Sequence, residues 1–258
     1  MQEYIELLQW YYKFLSLGKF FEMQTKKNLF TSPDNLPIST GSTTKFFINA
    51  ELTSNLLSDI HSHPNQKNVF GYLTEISAFR GIFSVMREMI ENLPSFRNAL
   101  QTIFQEQYLP FEQTIRFLRN VLSHSSTPSL LIQQEDFQKQ KEFLLHQKIK
   151  KINLQFLYAS HLPEREGSKT YTCDTEIDFS TLAPNTSLWK IVSLHQMYLL
   201  SELCYNITKV VAQRLKIAQK KTNKNAFHRS PFKKYRSRSS KKDTESHHFY
   251  TFHSCLWK

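Results

Sequence analysis

The residues of this chain with the clearest chemical potential lie between Arg116 and His124. Successive residues of an α-helix are rotated by about 100°, which places five nearby apolar side chains on one face. These are Phe111, Ile115, Leu118, Val121 and Leu122. Five polar side chains share an arc of roughly 140° on the opposite face. We call this second set the polar stripe: Arg116, Arg119, Asn120, Ser123 and His124.

Arg119 and His124 are suited to chemistry on a phosphate group. Arginine offers a planar set of N–H donors to phosphate oxygens, and histidine exchanges a proton near neutral pH. Together they could cleave RNA without a metal ion, because the imidazole moves a proton and the guanidinium stabilises charge on the phosphoryl oxygens. The alternative is a solvated helix face on which His124 meets the last carbonyl groups, where the helix dipole favours a cation.

One helix must position these side chains. Pro110 is tolerated at the first helical position, and the cluster from Ser125 to Pro128 stops a helix. The sequence therefore predicts a helix from Pro110 to about His124, with the histidine at or near its C-terminus.

The order Arg119-Asn120-x-x-x-His124 resembles the R-x4-H signature of the HEPN superfamily. That superfamily includes toxin ribonucleases and the RNA-cleaving domains of type VI CRISPR effectors. The residue after its arginine is commonly polar and often asparagine, which Asn120 matches. The resemblance covers roughly residues 72–216 and depends on the motif together with the helices around it.

The resemblance implies a metal-independent endoribonuclease of toxin or defence type, which uses no cofactor. Its active site would be composite, formed where the R-x4-H helices of a homodimer meet. Arg119 and His124 would be catalytic, and Asn120 would orient the arginine or the phosphate. Arg116 and Ser123 are expected to contact the RNA partner. An antitoxin or another defence-system protein would be a further partner.

Two comparisons within the sequence limit this interpretation. A related HEPN subgroup carries a tyrosine, modified by an antitoxin, two residues after the histidine; Ser126 stands there, so that mode of neutralisation has no support. The segment Phe96-Arg97-Asn98-Ala99-Leu100 repeats the pattern of residues 118–122, but Thr102 stands where the histidine is required. A noncatalytic helical RNA-binding or protein-interaction module, or a helical structural protein, is the alternative function.

The basic charge is concentrated at the C-terminal end. Of 33 Lys and Arg and 22 Asp and Glu residues, 13 basic and 2 acidic residues lie from Arg214 onward, so the tail accounts for the net charge of +11. Such a composition is typical of a disordered arm that binds nucleic-acid phosphates, although a solubilising or functionless extension is the alternative. The expected RNA-binding residues are Lys220, Lys221, Lys233, Lys234, Arg236 and Arg238.

The fold class predicted from the sequence is mainly α: a HEPN-like helical bundle with a small β-hairpin insertion and a disordered basic tail. Low glycine and proline counts, 5 and 9, and a hydrophobic content of 40% favour a packed helical globule. The predicted divisions are a helical extension packed on the core at 1–71, the helical domain at 72–216 with strands within about 151–180, and the tail at 217–258. Helices are predicted at 3–24, 50–60, 72–92, 95–108, 135–149 and 188–214, and a loop at 28–42.

Other kinds of site have little support. The cysteines, Cys173, Cys204 and Cys255, are widely spaced and are interpreted as reduced thiols. His61 and His63 have no companion ligands nearby in sequence, so a polar loop is predicted there and no metal site. Because no apolar run is long enough to span a membrane and no signal segment is visible, a cytoplasmic protein is expected.

Overall fold

The computed structural model describes residues 1–27, 36–39, 45–48, 50–63, 69–125, 129–159 and 170–228. It gives the backbone alone at 36–39, 45–48, 52–53, 56, 69–70, 159 and 215–228. The helices are α1 (Gln2–Lys26), α2 (Ala50–Ser62), α3 (Val69–Asn92), α4 (Pro94–Phe104), α5 (Tyr108–His124), α6 (Gln134–His146) and α7 (Leu194–His228). The strands are β1 (Leu36–Ser39), β2 (Lys45–Ile48), β3 (Lys151–Ala159) and β4 (Thr170–Asp178), and 3₁₀ turns lie at Gln105–Gln107 and Leu188–Lys190.

The mainly helical class with a small hairpin is confirmed. Strands β3 and β4 pair antiparallel, with Lys151 opposite Asp178 and Ala159 opposite Thr170. The alternation that predicted them has a physical basis, because Ile152 and Leu154 point into the core.

The structure adds a second hairpin, whose first strand lies within the stretch 28–42 that the sequence analysis assigned to a loop. Strands β1 and β2 pair antiparallel from Leu36 opposite Ile48 to Ser39 opposite Lys45. Residues 40–44, which connect the two strands, lie outside the described residues.

The last helix begins later and extends further than predicted. It starts at Leu194, not near Leu188, because Ser193 and Gln196 form a reciprocal capping box: the Gln196 N–H donates to Ser193 Oγ (3.2 Å), and the Ser193 N–H donates to Gln196 Oε1 (2.8 Å). Its backbone continues to His228, past the predicted end at Arg214. The predicted disorder of the tail falls mainly on residues 229–258, which lie outside the described part.

Helix α5 runs through the middle of the core. Its five predicted apolar residues are all fully buried, which confirms that face. Phe117 is fully buried as well and meets the ring of Phe179 edge-on, with the centroids 5.8 Å apart. Helices α3, α4 and α6 and strand β3 all contact α5. Only a narrow strip of this helix therefore reaches solvent, and that strip carries the polar stripe.

Helix α1 packs along α3, and the compact unit that contains both runs from Met1 to Ile217. The predicted division at residue 71 stays a prediction. Within the described part of the chain, no helix has the length and apolar character needed to cross a membrane.

Candidate active site

The polar stripe lies at the surface of α5, as the helical arc predicted. Arg116, Arg119 and Asn120 are half-buried, whereas Ser123 and His124 are exposed. The stripe members nevertheless differ in what they contact, and these contacts separate candidate catalytic side chains from structural ones.

His124 is held by a carboxylate that the sequence analysis did not single out. Its Nδ1 lies 2.5 Å from Oδ1 of Asp136, whose side chain is 0% exposed, while 41% of the His124 side chain is accessible. A buried carboxylate is costly unless its oxygens are hydrogen-bonded. The second oxygen, Oδ2, accepts a hydrogen bond from the Gln133 N–H at 2.7 Å.

The start of α6 explains why Asp136 sits there. Asp136 is the third residue of the helix, and an acidic side chain at that position reaches back to the N–H group that precedes the first turn. Oδ2 of Asp136 is thereby bonded at the start of α6, and Oδ1 faces His124 at the end of α5. The signal in the sequence was an aspartate three residues after Gln133, at the beginning of a predicted helix.

This arrangement selects one ring nitrogen of His124 for chemistry. A carboxylate can only accept a hydrogen bond, so Nδ1 is the nitrogen that donates to Asp136. The other nitrogen, Nε2, is then available to accept a proton from a substrate and to return it.

The side chain of Asn120 is hydrogen-bonded to residues of α3 and α6. Its Nδ2 donates to the backbone oxygen of Asp136 (3.0 Å), and its Oδ1 accepts from the Arg87 guanidinium (2.7 Å). Both ends of the amide are therefore engaged by α3 and α6, and neither contacts Arg119. Asn120 is thereby bonded to the residue that holds His124, and its predicted role of orienting the arginine or the phosphate stays a prediction.

Arg116 and Arg87 are partly compensated by acidic neighbours. Arg87 Nε donates to Glu91 at 2.8 Å, and the Arg116 guanidinium lies 3.9 Å from Glu91 and 3.7 Å from Glu112. The predicted RNA contact of Arg116 stays a prediction, as does that of Ser123. Any anion at Arg116 would compete with two carboxylates.

Arg119 is the charged member of the stripe that has no polar partner within the described part of the chain. No hydrogen bond or ion pair joins it to a described residue. Its guanidinium is half-buried and stands five residues before His124 on the same helix. A guanidinium with no partner among the described residues, on the same helix face as an imidazole held by a carboxylate, carries donors that suit a phosphodiester.

Arg80 meets the last carbonyl groups of α5, which the alternative interpretation had assigned to His124. Its Nε donates to the backbone oxygen of Leu122 (2.6 Å) and its Nη2 to that of Ser125 (3.3 Å). The carbonyls at the C-terminus of α5 are thus met by a side chain from α3. Arg80 and Arg87 were not singled out from the sequence, although their spacing of seven puts both on one face of α3.

The cysteines and the His61 pair are not part of this site. Burial raises the pKa of Cys173 to about 12 and also raises that of Cys204, so neither thiol is a ready nucleophile near neutral pH. The predicted polar loop at His61 is wrong: His61 lies in the last turn of α2, and its Nε2 is 2.9 Å from the backbone oxygen of Thr25. Among the described residues, no group of three or more His, Cys, Asp or Glu side chains could hold a metal ion. Cys255 lies outside them.

Two of the six basic residues predicted for RNA binding in the tail lie within the described part of the chain. Lys220 and Lys221 belong to the backbone-only end of α7. The other four, Lys233, Lys234, Arg236 and Arg238, lie outside the described residues.

Comparisons with known protein families, with curated proteins and with solved structures give no match to this chain. Its function must therefore be inferred from the site.

Proposed function

We propose that this protein is a metal-independent endoribonuclease of HEPN type, in which His124 transfers protons and Arg119 stabilises the phosphate. The observation that supports it best is the pair formed by His124 and the fully buried Asp136. Arg119, which shares the polar stripe with His124, has no partner among the described residues. A toxin or defence role, with an antitoxin or similar partner, is part of the same proposal.

The proposed reaction is an internal transesterification. His124 Nε2 accepts the proton of the ribose 2′-hydroxyl, and the 2′-oxygen attacks the adjacent phosphorus. The bond to the 5′-oxygen breaks, and that oxygen takes up a proton. The products are a 2′,3′-cyclic phosphate and a 5′-hydroxyl. Arg119 binds the non-bridging oxygens, on which negative charge grows during the attack.

One histidine in each chain supplies one proton-transfer group. A second chain would supply the acid for the leaving oxygen while the first supplies the base, which is a chemical reason for a homodimer with a shared cleft. Asp136 fixes the ring orientation for either task.

The alternative function is a noncatalytic helical RNA-binding or protein-interaction module. One observation favours it: the bond between His124 and Asp136 also joins the end of α5 to the start of α6, and would stabilise the fold without any catalysis. The two functions make opposite predictions for cleavage.

The experiment is RNA cleavage by the purified chain in EDTA, with the product ends analysed. We expect 2′,3′-cyclic phosphate ends, and we expect His124→Ala to lower the rate by about 10²- to 10⁴-fold. His146→Ala is the matched control, because His146 is an exposed histidine in the last turn of α6. A folded His124→Ala protein that cuts RNA at the wild-type rate would contradict the proposal.

The same assay at increasing KCl addresses the basic arm. Each phosphate contact releases counterions, so affinity should fall steeply with salt, and the slope should shrink in a chain ending at His228. The cleavage pattern at saturating RNA should not change, because Arg119 and His124 remain. An unchanged salt slope would mean that the basic tail does not bind RNA phosphates.

A further inference from the structure

Helix α1 exposes a row of large apolar side chains to solvent. Leu7, Trp10, Phe14 and Leu17 are 40%, 66%, 44% and 50% exposed, and we call these four the α1 seam. Their spacing of three, four and three residues places them in an arc of roughly 80°, which is the spacing of residues at a helix–helix interface. Single exposed apolar residues are common in proteins, but a continuous row of this kind marks an interaction surface.

The α1 seam cannot be buried by rotating the helix, because a second face of α1, centred about 100° round the helix from the seam, is fixed against α3. Leu8 is fully buried there. A Cβ atom added at Gly18 would lie 1.9 Å from Thr74 Cγ2, and one added at Gly81 would lie 2.4 Å from Tyr11 Cδ1. Contacts this close require the present orientation of α1.

A polar network fixes the same face towards the C-terminal end of α1. Lys19 Nζ lies 2.8 Å from Glu22 and 3.6 Å from Glu75, and both carboxylates are almost fully buried. The Tyr198 hydroxyl donates to Glu75 at 2.7 Å. Turning α1 would break these buried pairs, which is strongly unfavourable. The α1 seam therefore faces outward as a fixed feature of the fold.

We propose that the α1 seam binds the α1 seam of a second copy of this chain, with the two helices antiparallel. With the two-fold axis between residues 15 and 16, Phe14 of each chain lies opposite Leu17 of the other. Trp10 then lies opposite Phe21, a half-buried residue that continues the same spacing. Four apolar layers result. Each joins an aromatic residue to a leucine or to a second aromatic residue.

Charge favours a second copy in this orientation. Glu3 and Glu6 lie at the start of α1, whereas Lys13 lies midway along the helix and Lys27 directly follows it. A parallel pair would place like charges side by side along the whole helix. The antiparallel pair brings Glu6 of each chain towards Lys27 of the other, and keeps the two Lys13 side chains apart. The acidic start of α1 also disfavours an anionic lipid surface.

The first test is the effect of a seam substitution on the association state of the full chain, measured by sedimentation without RNA. The shared-cleft dimer of the proposed ribonuclease would also sediment as a dimer, so only the substitution distinguishes the two interfaces. We expect a dimer at roughly micromolar concentrations, and Leu17→Lys should raise its Kd by at least about 30-fold. Leu157→Lys is the matched control, because Leu157 is an exposed leucine (66%) that belongs to β3 and not to α1. Circular dichroism confirms that each variant is folded.

The second test addresses orientation. Glu6→Lys should weaken the dimer, and adding Lys27→Glu to the same chain should restore it, which a parallel pair cannot explain. A mixture of Phe14→Cys and Leu17→Cys chains should cross-link faster than either chain alone. A chain that stays monomeric, or a Leu17→Lys chain that dimerises like the wild type, would overturn the proposal. Binding of a monomer to phosphatidylcholine vesicles through the α1 seam would overturn it as well.

Discussion

Helices α4 and α5 carry almost the same five-residue pattern, and the structure uses the two in different ways. Phe96-Arg97-Asn98-Ala99-Leu100 lies in α4 and Leu118-Arg119-Asn120-Val121-Leu122 in α5. The apolar residues at both ends of each pattern are fully buried, so the two arginines begin in comparable positions. Their partners differ completely.

Arg97 serves the end of the preceding helix. Its Nε donates to the backbone oxygen of Ile90 (2.8 Å) and its Nη2 to that of Glu91 (2.9 Å), which are acceptors at the C-terminus of α3. Arg119 makes no such contact with a described residue, and the carbonyls at the end of its own helix are met by Arg80 from α3. The comparison teaches that the same local pattern can give an arginine a structural partner in one helix and none in another, depending on how the helices pack.

Replacing each arginine by alanine gives the largest expected contrast. Arg119→Ala should lower RNA cleavage by about 10²- to 10³-fold, because the charge on the phosphoryl oxygens loses its donor, and should leave the melting temperature unchanged. Arg97→Ala should lower the free energy of unfolding by about 1–2 kcal/mol and leave the rate of the folded enzyme unchanged. Cleavage kinetics and thermal melts of the two variants measure this. Equal effects of both changes on cleavage would mean that the comparison is wrong.

Asp136→Asn should have an intermediate effect on rate. The amide oxygen can still accept from the Gln133 N–H, so the start of α6 keeps its bond. The amide nitrogen, however, presents a donor to His124 and favours the ring tautomer with hydrogen on Nε2, which cannot act as a base. We expect roughly a 10- to 100-fold loss, less than the full contribution of acid–base catalysis. Asp174→Asn, at an exposed position on β4, is the control, and single-turnover cleavage is the measurement. A wild-type rate for Asp136→Asn would count against the role of the pair.

Arg80→Met should have the smallest effect on the reaction. It removes the donors to Leu122 and Ser125 while keeping the aliphatic part of the side chain, so the free energy of unfolding should fall by about 1–2 kcal/mol. The cleavage rate of the folded protein should change by less than about 10-fold, because Asp136 still holds His124. Denaturant unfolding and cleavage assays separate the two quantities. A larger loss of rate than in Asp136→Asn would mean that the capping of α5 matters more to the reaction than the carboxylate does.

Local periodicity accounts for what the sequence predicted correctly. The apolar face of α5 and the alternation along β3 each depend on neighbours within a few residues, and both were confirmed. The start of α7 was misplaced because Leu188 is apolar and fits a helical face, whereas the capping box at Ser193 decides where the helix begins.

The partners of the site residues could not be predicted in the same way. His124 meets Asp136 over 12 positions, and Asn120 meets Arg87 over 33 positions. Such pairs depend on how α3, α5 and α6 pack, which no local pattern specifies. Arg119 and His124 were recognisable from their spacing, but only the packing distinguishes Arg119 from Arg97.

The position of Arg80 has a consequence for motion. The last turn of a helix normally opens and closes freely, since its carbonyls have no partner within the helix. In this protein one guanidinium from α3 holds the carbonyls of Leu122 and Ser125, and Asp136 holds the side chain of His124 between them. Amide hydrogens in the final turn of α5 should therefore exchange with solvent nearly as slowly as those at its centre, so that His124 sits on a rigid helix end.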